Sequence, residues 1–122
     1  MGMVCFSHGE AKWSYREFMG FRQKIIDTLY PKANLSFVEV NAIGSLHPIS
    51  EEPIYPFLIH SDTQGDMSVE EMKQITPQLT YIVTGWDEVY DNSVEGYYKT
   101  TGLELIKGME KAIEENEPFK FM

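Results

Sequence analysis

The sequence predicts one α+β domain over residues 1–122, with about four helices packed on a small two- or three-stranded antiparallel sheet and a helix-loop-helix in its centre. Three observations predict it. Ser14 with Glu17, Ser68 with Glu71, and Asn92 with Glu95 stand at capping-box spacing, each ahead of apolar residues at helical period. Residues 3–6, 35–40 and the alternating tail after Pro118 are short, apolar and partly β-branched or aromatic, as strands are. With 43% hydrophobic residues in 122, the chain can bury one core without disulfides, and no repeat or linker divides it.

In chain order, "MVCF" reads as a brief strand ended by Gly9. Ser14 opens a helix whose stripe is Phe18, Phe21, Ile25 and Leu29, widened by Met19 and Ile26 and closed before Pro31. "LSFVEV", residues 35–40, is the expected internal strand. Residues 53–59 suit a short helix, because Pro53 and Pro56 fall in a first turn where missing N–H groups matter little. A third helix starts near Ser68 with Met72, Ile75, Leu79 and Ile82 on one face, kinked or ended by Pro77 and stopped by Gly85. The last helix follows Asn92, carries Tyr98, Leu105, Met109 and Ile113 on one face, and runs to about Glu115. Gly96, Gly102 and Gly108 inside it cost about 1 kcal/mol each relative to alanine where exposed. Close approach of a neighbouring backbone would account for them, as would simple tolerance. The tail from Phe119 is expected beside residues 3–6 or 35–40.

Ten Lys and Arg against nineteen Asp and Glu give a formal charge of −9, which repels phosphate backbones and anionic lipid and can favour a basic protein partner, hold divalent cations or, most commonly, simply keep a protein in solution. Cys5 is the one cysteine, so no intramolecular disulfide forms. No apolar run approaches the roughly 18 residues of a membrane span, and the N-terminus lacks a secretory pattern. The expectation is a cytoplasmic protein that binds neither nucleic acid nor membrane directly.

"HSDTQGDMSVEE", residues 60–71, matches the frame of an EF-hand loop when Gly65 takes the sixth place. His60 is then first, Asp62 third, Gln64 fifth, Asp66 seventh, Ser68 ninth and Glu71 twelfth. Asp62, Gln64, Asp66, Ser68 and Glu71 are the candidate calcium ligands. Calcium prefers hard anionic oxygens, and His60 and Gln64 replace two of them, so the expected affinity is weak. The same residues also make a capped turn with no ion: Gly65 at positive φ, Asp62 in an Asx turn, and Ser68 with Glu71 as a box.

Elsewhere the chemistry is sparse. Cys5 and His8, with His47 and His60, allow a zinc or Cys-His reading without defining one. The chain has no phosphate-binding glycine loop, nucleophile elbow or His-Glu-x-x-His pair. Glu51-Glu52 and Glu70-Glu71 suit helix N-termini better than acid-base catalysis. Trp13, Tyr15, Trp86, Tyr90, Tyr97 and Tyr98 are anchors for either a core or an interface.

"FSH" and "WSYREFMGFR" near the start, "HSD" with Gly65 and "EE" in the centre, and "GMEKAIEENEPFKF" at the end together resemble a family of small bacterial proteins. The resemblance covers most of the chain and carries no established activity, so it assigns no catalytic residues. It implies a central Asp-x-Asp-Gly core, from which Gln64 departs. The leading expectation is a non-enzymatic protein acting through protein interaction, with a degenerate EF-hand-like loop and no cofactor. The alternatives are a weak calcium-binding regulatory module, a small metal-dependent enzyme using His8, His60 and Asp62 in one pocket, and a bacterial or phage inhibitor whose acidic face mimics nucleic acid.

Overall fold

Side chains satisfy the orphan N–H groups where two of the long helices begin. The computed structural model describes residues 3–43, 46–60, 65–86 and 98–121. Helix α1, Tyr15–Leu29, opens on the expected box: Ser14 Oγ accepts the Glu17 N–H at 3.1 Å and Glu17 Oε1 accepts the Ser14 N–H at 3.0 Å. It buries Phe18, Phe21, Ile25 and Ile26. Arg22 is buried with them, its guanidinium 4.2 Å from the Phe18 ring centre and 5.3 Å from that of Phe57. Met19, expected in the stripe, is 46% exposed.

Residues 35–40 are not the internal strand that their composition suggests. They lead into helix α2, Phe37–Ile43, because Ser36 and Glu39 form a capping box of their own, with bonds of 3.1 and 3.2 Å. Gln23 on α1 holds the entry, accepting the Phe37 N–H at 2.7 Å and donating to the Leu35 carbonyl at 2.9 Å. A strand would put Val38 and Val40 on one face. The helix instead buries Val40 fully and leaves Val38 69% exposed. Local hydrogen bonding and burial override a strand propensity that depends on context.

A 3₁₀ turn, Pro48–Glu51, is capped by His47, whose Nδ1 accepts the Ile49 N–H at 3.0 Å. Helix α3, Tyr55–Ile59, follows with Pro56 in its first turn and buries Phe57 and Leu58. Helix α4, Val69–Thr84, starts at the Ser68–Glu71 box and continues through Pro77, which is exposed and neither ends it nor forces a restart. Its buried face is Met72, Ile75, Leu79, Ile82 and Val83, and Gly85 follows as the C-cap. Helix α5, described over Tyr98–Glu114, packs on α4 in the most extensive pairing of the fold. The expected start at Asn92 and Glu95 lies outside the described residues, as do Tyr90, Gly96 and Tyr97. Five α-helices are therefore present among the described residues, one more than expected, and α2 is the difference.

Among the described residues, the strands are two-residue pieces in two separate antiparallel pairs. β1, Met3–Val4, pairs with β2, Trp13–Ser14; β3, Asp66–Met67, pairs with β4, Phe119–Lys120, with Asp66 opposite Lys120 and Met67 opposite Phe119. An isolated bridge joins Phe6 to Phe121. The tail thus lies beside residue 6 as expected, but its ladder partner is the central loop rather than 35–40.

The aromatic rings meet in one core, with Trp13 and Phe21 stacked at 4.5 Å and Phe6 and Phe119 at 5.2 Å. Trp13, Trp86 and Tyr98 are 4%, 9% and 7% exposed, so these three anchors serve packing rather than an interface. Among the described residues, no helix is long and apolar enough to cross a membrane.

Candidate metal centre

Helix α5 ends in a Schellman motif that turns two carboxylates toward one point. Asn116 takes the left-handed conformation at φ 57°, its N–H donates to Ile113 O at 3.0 Å, and the Glu117 N–H donates to Ala112 O at 2.9 Å. Glu115 and Glu117, on either side of that reversal, both reach His8. Glu117 Oε1 stands 2.8 Å from His8 Nε2 and Glu115 Oε1 stands 3.4 Å from it. One donor atom from each of the three residues lies within 4.8 Å of the other two.

His8 is delivered by the turn after β1. Gly9, at φ 80°, lets this turn approach Gly108 of α5, where a side chain on either glycine would strike backbone. The tail supplies the other hold. Ser7 N–H donates to Lys120 O at 3.0 Å, and Lys120 N–H donates to Ser7 Oγ at 2.9 Å. Ser7 Oγ is also 2.7 Å from His8 Nδ1. That hydroxyl can donate to Nδ1 when Nε2 carries the proton, or accept from Nδ1–H when Nε2 is free to bind a cation.

His8 is 11% exposed in its side chain, against 44% for Glu115 and 55% for Glu117. The base of the cluster is consequently sheltered and its mouth is wet. The hydrogen bond with His8, then one shared with Glu115, holds the Glu117 carboxyl below the usual carboxylate range, helped by the charge of Lys120. A cavity of about 350 Å³ opens beside the cluster, lined by Ser7, His8, Glu117, Pro118 and Lys120.

Of the central loop, His60 and residues 65–71 are described. Gly65 has φ 90°, Asp66 and Met67 form β3, and Ser68 with Glu71 caps α4 through bonds of 2.9 and 3.1 Å. His60 Nε2 bonds to the Asp66 carbonyl oxygen at 3.1 Å, and the imidazole stacks on Phe121 at 4.0 Å. This carbonyl belongs to the seventh loop position, whose oxygen would face a calcium ion. Asp62 and Gln64 lie outside the described residues. Ser68 and Glu71 are brought together at the entrance of α4 by the cap itself, while Asp66 lies in β3 opposite Lys120.

Among the described residues, the cavity wall at His8 includes neither His60 nor Cys5, and His47 is occupied as a cap; Asp62, the third residue of the expected pocket, lies outside them. Sequence reasoning missed Glu115 and Glu117 because they are 107 and 109 residues from His8 along the chain. The available signal was Asn116, a residue suited to the left-handed C′ position, two places before Pro118. No protein-family model, curated protein or solved structure matches the chain.

Proposed function

We propose that the protein is a binding module, not a catalyst, whose ligand is a divalent transition-metal ion of the zinc class held by His8 Nε2, Glu115 and Glu117. The convergence of these three donors carries the reading. Tetrahedral coordination at ordinary zinc distances needs donors about 3.3 Å apart. The separations of 2.8 and 3.4 Å around His8 Nε2 bracket that value, so side-chain adjustment suffices. One imidazole nitrogen with two carboxylates suits zinc and its neighbours, whereas calcium and magnesium prefer oxygen alone. The Ser7 hydroxyl beside Nδ1 supplies the outer hydrogen bond that orients such a ligand. The same reading keeps a protein partner, since a chain of net charge −9 attracts basic proteins.

Calorimetric titration of zinc into chelator-treated protein tests this, with calcium and magnesium as controls. One saturable zinc site, abolished by His8→Ala and by Glu117→Gln but kept in Glu71→Gln, is the expected result. No saturable heat, or zinc binding that survives His8→Ala in a folded variant, would overturn it.

A further inference from the structure

Three protein donors would leave a tetrahedral ion one ligand short, and a cavity adjoins the cluster where that ligand could enter. Its walls include His8 and Glu117, which are two of the donors, together with Ser7, Pro118 and Lys120. Among these wall residues Lys120 is the one cation that no ligand role consumes. Its backbone is fixed by pairing with Asp66 and by both bonds to Ser7, while its side chain is exposed.

Charge decides what fits. A divalent ion with two glutamates and a neutral imidazole is a neutral centre, and Lys120 adds one positive charge. A monoanion brings the site to zero. A phosphate dianion would leave it negative inside a chain already at −9. Size agrees, because about 350 Å³ is at the small end for a ligand pocket, and the Pro118 ring offers an apolar wall to a short aliphatic chain.

Resting on the metal reading above, we infer that the ion's open position takes the carboxylate of a small monocarboxylic acid, with Lys120 pairing to that carboxylate's charge. The protein then recognises metal and carboxylate together as a ternary complex. Lys120 is a specificity residue of the site and not a metal ligand.

Cobalt(II) serves as the probe, because its visible d–d absorption reports both occupancy and a change of ligand. Cobalt is added to chelator-treated protein, then acetate and propionate are titrated, with inorganic phosphate in parallel. The expected result is a d–d spectrum on adding cobalt and a saturable shift with either carboxylate, stronger than with phosphate. Lys120→Gln should weaken carboxylate binding about fivefold while cobalt affinity stays within about twofold. Absence of any cobalt spectrum would sink the metal reading itself. A cobalt spectrum indifferent to carboxylate would overturn only the present inference, as would phosphate binding more tightly or an unchanged carboxylate affinity in Lys120→Gln.

Discussion

Gly9 and Gly108 meet backbone to backbone: a Cβ on Gly9 would stand 2.8 Å from the Gly108 Cα, and one on Gly108 would run into the His8 carbonyl oxygen. This contact sets the height of the His8 turn above the end of α5. It explains why a helix tolerates glycine there, and Gly102 has a parallel reason, since a Cβ would come 2.9 Å from the Phe21 ring.

Gly108→Ala gains helix propensity of about 1 kcal/mol but drives the turn away from α5, an overpacking cost of about 1–3 kcal/mol. The expected balance is a net loss of stability together with weaker zinc binding. Urea unfolding and calorimetry on the same variant check both, and a more stable variant that binds zinc normally would show the contact to be unimportant.

The cap of α4 and the ion site are expected to be independent. Ser68→Ala should cost about 1 kcal/mol in urea unfolding and leave zinc affinity unchanged. Calcium should give no saturable heat at low millimolar concentration, because it would have to displace His60 from the Asp66 carbonyl and Glu71 Oε1 from the Ser68 N–H. Saturable calcium binding lost on Glu71→Gln would contradict this and restore the loop as a cation site.

Phe121 ties three parts of the chain together although it lies next to the last residue. Its N–H donates to Gly65 O at 3.0 Å, it bridges Phe6, and its ring stacks on His60 at 4.0 Å. It is 3% exposed. Phe121→Ala should therefore cost about 3–5 kcal/mol, as large aromatic truncations in cores do. Thermal unfolding followed by circular dichroism gives the answer, and a shift no larger than that of a surface substitution would refute it.

Tyr30 donates to Glu52 Oε2 at 2.9 Å, and Glu52 Oε1 in turn accepts from Gln78 Nε2 at 2.8 Å. Burial first, then the hydrogen bond and charge of Glu52, raise the Tyr30 hydroxyl above its ordinary value of 10.0. A raised folded value means that the proton is held more tightly in the folded state. The stabilisation is complete below the ordinary tyrosine range and is lost as pH rises through the higher folded value. Tyr30→Phe should remove a late-titrating phenol from the alkaline absorbance curve and flatten the associated loss of stability. An unchanged curve at its upper end would argue against the bond.

Local chemistry alone accounts for α1, α4 and the turn at Gly65, because a capping box and a positive-φ glycine act between residues a few places apart. The core faces of α1, α4 and α5 were largely legible for the same reason, through helical periodicity. Ser36 and Glu39 carried the same cap signal, but the β-branched composition of 35–40 masked it, and the Gln23 contacts that hold α2 come from another helix. The pairing of β4 with β3 and the meeting of His8 with Glu115 and Glu117 were decided only by the tertiary structure. Two-residue strands have too little length to specify a partner, and side chains more than a hundred residues apart acquire a common site only when the Gly9–Gly108 contact and the Asn116 reversal bring both ends of the chain together.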